Sequence, residues 1–416
     1  MWRLSNRIPA IVGLLAMAGV ALPQEKRLPP KVNLGSEFGN LHIEPRAQGE
    51  RDTCSLFAIT AIAGFEYAQS NPLARKRLSE EFLIWAANEA TGLNGDQAMF
   101  CEAAYGLNTF GICTAELMPY EKTSDAKRWP SKEALDNARE RSQRWKVRWI
   151  KRWDVSRGLC EEELIAIKTT LANGHPVACG LRWPKALKGA SLLVVPPPGN
   201  VFDGHSIVLT GYEDNAVKNG SGVFHFRNSL GPKWGVNGDG VMSYAYASAY
   251  ANDVLWLQLG APGSEIPAER FEAESMTILA TKHCETTSQK MDSFGGGMWS
   301  RGEQLFCRSE ELGSMELGFT VRKAGRYRLR VLATAAPDFG IIRVALDRTA
   351  WAPDFDLYSG RVCPAGSLEL GEQDLTSGKH TLRFVVVGKN AASKNFFFGL
   401  DAIDLLSPKS TDAKER

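Results

Sequence analysis

Cys54 stands where a polar turn gives way to an apolar run, in the stretch QGERDTCSLFAITAIAGFEY from Gln48 to Tyr67. Residues Ser55 to Phe65 are almost wholly apolar or small, the composition of a helix buried on every side. The first N–H groups of a helix lack intrahelical partners and carry the positive end of its dipole, so a sulfur at that position is favoured as the thiolate. A nucleophile of this kind needs a base, a group to orient the base, and donors for the developing oxyanion. Gln48 offers a side-chain amide donor six residues upstream, beside the Cys54 backbone N–H. His205, in FDGHSIVLTGY, and Asn228, in FRNSLGPKWGVNGDG, are the candidates for base and orienter; each lies at the end of a strand-like segment. Taken singly, these residues also read as a structural core cysteine, a strand-end histidine and a turn asparagine. Together, a thiol, an imidazole and two carboxamides are the groups that thiol-based acyl transfer would require.

The elements that must position them form two blocks. The first is helical. Ser79 with the acidic turn behind it caps a helix through Asn88, Asn94-Gly95-Asp96 marks a turn, and Ala98 to Leu107 reads as a small-residue helix. A polar helix over Ser131 to Arg144 leads into RWKVRWIKRW, whose alternation predicts a half-buried strand with a solvated basic face. Glu161 to Asn173 reads as an amphipathic helix closed by Gly174, with a strand over Pro176 to Trp183. From Val201 the pattern is β: short strands at 206–210, 223–227, 241–244 and 254–259. Helices first and strands second predict an α+β domain with a cleft between two lobes, closing near Gly260. Ala261 to Ala268 reads as a Pro and Gly linker. Phe271 to Leu406 shows many short alternating segments separated by turn residues, the pattern of an antiparallel β-sandwich. The charged tail after Ser407 reads as disordered.

With 416 residues, two domains are expected. The net charge of +2 gives no electrostatic reason to expect nucleic acid as a partner. Residues 1–21 read as a signal peptide: Arg3 and Arg7 precede an uncharged apolar run from Ile8 to Leu22 that ends near small residues. That run is short for a membrane span, so a secreted, periplasmic or cell-surface protein is expected, with no membrane contact beyond the signal segment. The eight cysteines include no CxxC pair, which argues against zinc and redox-motif readings. No metal or cofactor is called for.

The order Gln, Cys, His, Asn resembles the papain-like cysteine proteases. QGERDTCSLFA is similar to the segment leading to their nucleophile, FDGHSIVLTGY to their His strand, and NSLGPKWGVNGDG to their Asn-containing block. The resemblance covers about Val32 to Gly260. It implies a two-lobed fold, one helical lobe and one barrel-like, and peptide-bond hydrolysis with Cys54 as nucleophile and His205 as base and later acid. It implies further that Asn228 orients the imidazole and that Gln48 with the Cys54 N–H binds the oxyanion. By position Gly95 and Asp96 match a segment whose backbone pairs with substrate peptide, and Trp234 matches an aromatic across the cleft.

There are departures. Arg51 and Leu93 stand where relatives carry cysteines, so two familiar disulfides are absent. Ser55 follows the nucleophile in place of Trp. Leu230 replaces the Trp that covers the Asn–His hydrogen bond, and is expected to exclude water there. The C-terminal block, from FEAES to FGLDAIDLL, resembles galactose-binding-like sandwiches such as carbohydrate-binding modules. In relatives, acids at the first and last strands can hold Ca²⁺, which makes Glu272, Glu274 and Asp404 candidates; ordinary strand-end acids are the plainer reading. Trp299, Trp351 and Tyr358 could stack on a sugar, though core packing accounts for them better. The function implied is a peptidase acting on peptide or protein, with a possible glycan partner at the sandwich. An inactive papain-like binding protein and a Cys-dependent acyltransferase are the alternatives.

Overall fold

The computed structural model describes residues 28–71, 76–185, 192–194, 199–216, 222–261, 266–347, 349–350 and 353–407. The signal segment, residues 262–265 of the linker, Trp351 and the tail from residue 408 fall outside them.

The chain enters on strand β1 (Lys31–Asn33) and a short helix α1 (Gly35–Asn40). Four helices follow: α2 (Cys54–Ser70), α3 (Glu80–Thr91), α4 (Phe100–Phe110) and α5 (Lys132–Arg139). Helix α2 is buried on nearly all sides, as its apolar sequence requires. The Ser79 hydroxyl accepts from Phe82 N at 2.9 Å and caps α3, while Gly92 closes it in the left-handed region. Gly106 lets α4 approach α3 closely; a Cβ there would lie 2.5 Å from the Ala87 nitrogen.

The first sheet comprises β2 (Trp145–Lys151), β3 (Val177–Pro184), β4 (Leu192–Leu193), β5 (Val201–Glu213), β6 (Val223–Arg227), β7 (Asp239–Ser243) and β8 (Ala251–Leu259), with β1 added on β5. Its order is β2-β8-β3-β5-β6-β7-β4, antiparallel except where β4 meets β7. Helices α6 (Glu161–Ala172) and α7 (Tyr244–Tyr250) pack on it. One apolar cluster joins α2, α3 and α4 to the sheet through Trp145, Ala178, Val208 and Leu255, and a second fills the sheet side around Tyr212, Phe224 and Phe226.

The second sheet begins with β9 (Pro267–Glu272), two residues inside the stretch read as linker. It continues through β10 (Thr277–Lys290), β11 (Glu303–Val321), β12 (Gly325–Ala335), β13 (Gly340–Leu346), β14 (Thr349–Ala350), β15 (Phe355–Asp356), β16 (Cys363–Leu375), β17 (Gly378–Lys389) and β18 (Phe398–Leu406). Strand β11 serves both faces of the sandwich: residues 305–307 pair with β18, and residues 314–321 pair with β17. The two faces enclose a core that includes Leu317, Val331, Phe384 and Ile403. Trp299 lies in the interior with its indole N–H on Thr334 Oγ1 at 2.8 Å, so its ring is unavailable to a sugar. Asp404 is fully buried and holds two guanidinium groups, Arg270 at 2.7 and 2.9 Å and Arg330 at 2.8 Å. That pairing, rather than a cation, neutralises it. Among the described residues no group of three or more His, Cys, Asp or Glu is arranged to hold a metal ion.

The basic stretch departs from the expected solvated face. Lys151 is buried, its ammonium donating to the carbonyls of Asp154, Arg157, Ala251 and Asn252 at 2.6–3.1 Å. Arg152 donates to the carbonyls of Asp356 and Ala365 in the sandwich at 2.8 and 2.6 Å, and Gly360 N reaches the Trp153 carbonyl at 2.7 Å. Trp149 packs against the cores of both sheets. These residues form the seam between the two parts of the chain, which alternation alone cannot distinguish from a strand facing water.

Candidate functional site

Cys54 is the first residue of α2. Thr53, at the N-cap, gives its hydroxyl no capping role; it meets Tyr120 Oη at 2.8 Å instead. The N–H groups at this helix start are therefore left for an anion rather than for a capping side chain. On the facing sheet, β5 carries His205 and Ser206. Ser55 and Ser206 meet hydroxyl to hydroxyl at 3.0 Å, tying the residue after the cysteine to the residue after the histidine.

The hydrogen bonds fix the orientation of each amide. Asn228 Oδ1 lies 2.8 Å from Ser229 N, an N–H that can only donate, so the atom facing it must be the oxygen. The same oxygen lies 2.7 Å from His205 Nε2. The neutral imidazole must then carry its proton on Nε2, leaving Nδ1 as the free base. Gln48 is fixed in the same way: its Nε2 donates to the Arg51 carbonyl at 2.8 Å and its Oε1 accepts from Ser229 Oγ at 2.6 Å. Its backbone N–H reaches the Ser229 carbonyl at 2.8 Å, and its carbonyl accepts from Tyr120 Oη at 2.8 Å. One Nε2 hydrogen remains to meet an oxyanion.

Gln48, Cys54 and His205 line one cavity of about 580 Å³. Its far walls are Gln97, Ala98 and Met99 from the approach to α4, and Gly180, Leu181, Asn252 and Asp253 from the sheet. Burial pushes the Cys54 thiol up, opposed by hydrogen bonds from the backbone and hydroxyl of Ser206 and of Ser55. Burial likewise pushes His205 down, opposed by its bond to Asn228. The helix start, which favours the thiolate in the sequence, is thus opposed by desolvation, which disfavours the charged form of both groups. Asp253 is pushed up to about 7, chiefly by burial.

Two expectations change. Leu230 is 41% exposed; the imidazole is covered instead by Trp183 of β3, whose ring stands edge-on to it at 4.4 Å. Trp183 also meets Trp234 at 6.1 Å, so Trp234 sits behind the ring that touches His205. Strand pairing places Trp183 there, opposite Phe202 on β5, and only that register would have revealed it from sequence. Gly95 and Asp96 are not among the residues lining the Cys54 cavity. The Gly95 carbonyl accepts from Asn88 Nδ2 at 2.9 Å, and the Asp96 carboxylate is held by Arg51.

Arg51 gathers the nucleophile loop. It donates twice to Asp96, at 2.8 and 2.7 Å, once to Glu81 at 2.7 Å and once to the Glu121 carbonyl at 2.9 Å, and its guanidinium lies 4.7 Å from the centre of the Tyr120 ring. All three charged side chains are largely buried. The pairing with Asp96 and Glu81 raises the guanidinium's affinity for its proton against the desolvation cost. A charge network thus spans from the nucleophile loop to α3 and to the turn that contains Asp96.

No protein-family model and no curated protein sequence matches this chain. Among solved structures, the cysteine protease and lectin-like domains of Cwp84, a surface layer associated protein of Clostridium difficile, match with a TM-score of 0.51 at 15% identity, covering 91% of this chain and 78% of that one. Clostridial Cwp84 after propeptide cleavage matches with a TM-score of 0.50 at 14% identity, covering 91% and 88%. Xylellain, a cysteine protease from Xylella fastidiosa, matches with a TM-score of 0.48 at 23% identity over 56% of this chain and 88% of that one. The chain therefore has a papain-like α+β fold followed by a β-sandwich.

Substituting Arg51 by Met leaves the Glu81 and Asp96 carboxylates buried without their cation, and should cost about 3–5 kcal/mol in urea unfolding. Arg51→Lys keeps the charge without the planar fork and should fall between the parent and Arg51→Met.

Proposed function

We propose that this protein is a cysteine peptidase that cleaves peptide bonds outside the cytoplasm, with Cys54 as nucleophile and His205 as base. The supporting observation is that Ser229 N and His205 Nε2 both donate to Asn228 Oδ1, which reserves Nδ1 for the Cys54 thiol that lines the same cavity. Cys54 Sγ attacks the substrate carbonyl as His205 takes its proton. The oxyanion is met by the Cys54 N–H and the remaining Gln48 Nε2 hydrogen. His205 then passes the proton to the leaving amine, and water, deprotonated by the same imidazole, hydrolyses the thioester. Asn228 holds the imidazole throughout and stabilises its charged form.

Substrate would lie extended between the Gln97–Met99 wall and the sheet edge at Gly180 and Leu181, with Gly95, Asp96 and Trp234 supporting these walls from behind. The sandwich is an accessory domain that buttresses the catalytic part through the Arg152 seam. No helix among the described residues is long and apolar enough to cross a membrane.

A peptide library incubated with the parent and with Cys54→Ala tests this reading. The parent should release new amino termini and Cys54→Ala none; equal cleavage, or none by either, would overturn the proposal. Gln48→Ala should lower kcat by about 100- to 1,000-fold through loss of one oxyanion donor. The pH profile of kcat/KM should be bell-shaped and broad. His205 is depressed, so the base becomes protonated and activity is lost only below the ordinary histidine value of 6.5. Cys54 is raised, so the alkaline limb lies above 9.0. These limbs belong to the interacting pair rather than to either residue alone.

A further inference from the structure

Cys101 and Cys363 come from opposite sides of the domain seam, one in the first turn of α4 and the other opening β16. Both belong to the apolar cluster that fills the sandwich, Cys101 being its member from the catalytic part. Their neighbours hold the two segments together: Arg361, two residues before Cys363, is ion-paired with Glu102 and contacts the Met99 sulfur. The alignment is anchored again by Arg152, which donates to the carbonyl of Ala365, two residues beyond Cys363. Met99 in turn lines the Cys54 cavity, so this seam abuts the candidate catalytic cleft.

We propose that Cys101 and Cys363 are a disulfide-forming pair, a covalent link between the catalytic part and the β-sandwich. The chemistry of the two thiols is unequal. Cys363 is drawn down by its contact with Cys101 and by Arg152 and Arg361, and Cys101, whose thiol donates to Glu102 Oε2 at 3.0 Å, is held well up by the same contact, by burial and by Glu102. One sulfur is thus disposed to attack and the other to keep its proton until the second step. The oxidant is a small disulfide; a cavity of about 450 Å³ between the domains is lined by Cys101 and by Pro364, the residue after Cys363. The Cys363 thiolate attacks it, forming a mixed disulfide and releasing one thiolate. Cys101 then loses its proton, attacks the Cys363 sulfur and expels the second thiolate. In balance, two protein thiols and one small disulfide give one protein disulfide and two small thiols. Cys101 and Cys363 are 9% and 2% exposed, so oxidant and reductant alike reach the pair slowly in the folded protein.

The test treats the full folded chain with oxidised glutathione, quenches it with N-ethylmaleimide under denaturing conditions, and maps the unreduced digest by mass spectrometry. A peptide pair joined through Cys101 and Cys363, separating on reduction, is expected. The Cys284–Cys307 link serves as the internal control for oxidising conditions. Recovery of Cys101 and Cys363 both alkylated, with Cys284 and Cys307 joined in the same digest, would overturn the proposal, as would linkage of either to a different cysteine. A second readout compares reductant sensitivity: dithiothreitol should lower the Tm of the oxidised parent by about 5 °C more than that of Cys363→Ser. Equal shifts would also overturn it.

Discussion

The buried guanidinium of Arg51 is the constraint on which the candidate site depends. Without it, the loop from Gln48 to Thr53 has little apolar content to hold it in place, since its residues are Gln, Gly, Glu, Arg, Asp and Thr. With it, the loop is bound to α3 through Glu81, to the 94–96 turn through Asp96, and to the 120–121 segment through the Glu121 carbonyl and the Tyr120 ring. The Arg51 carbonyl meanwhile holds the Gln48 amide. Burying three charges is costly, and the cost is offset only because the fork geometry of arginine satisfies two carboxylates and a carbonyl at once. The ion-pair network holds the loop without a covalent cross-link.

From that fixed loop the orientation of the remaining groups follows by elimination. Ser229 donates its N–H to Asn228 Oδ1 and its hydroxyl to Gln48 Oε1, while its carbonyl accepts from Gln48 N. One residue therefore sets the orientation of both amides and, through Asn228, the tautomer of His205. The Ser55–Ser206 contact then closes the distance between helix and sheet. Burial disfavours the charged form of both thiol and imidazole, and their hydrogen bonds to Ser206, Ser55 and Asn228 oppose that.

Much of this was legible in the sequence because the informative segments are local. Cys54 at a polar-to-apolar boundary, His205 at the mouth of an apolar strand and Asn228 before Ser-Leu-Gly each carry their signal within about ten residues, and the α+β block followed by alternating short segments follows from hydrophobic period. What was not legible depends on partners distant in sequence. Asp404 reads as a possible cation ligand until Arg270 and Arg330 are seen beside it. The basic run of β2 reads as a solvated face because alternation reports only that a side is polar. It cannot report that Lys151 points into four carbonyls or that Arg152 docks on the sandwich. Trp183 reads as core because its contact with His205 is a matter of strand register.

The account rests on Cys54 being chemically distinct from the other thiols, and Cys160 offers an internal comparison. It too stands at a helix start but is exposed and lies beside Glu161, Glu162 and Glu163, with no base assigned to it. The most direct measurement is intact-mass and peptide mapping after exposure of the folded protein to a thiol-directed epoxysuccinyl peptide, which requires a catalytically activated sulfur. The account predicts a single adduct on Cys54, with Cys160 unmodified and no adduct formed by His205→Ala. Modification of Cys160 at the same rate as Cys54, or no adduct on the folded protein, would contradict it.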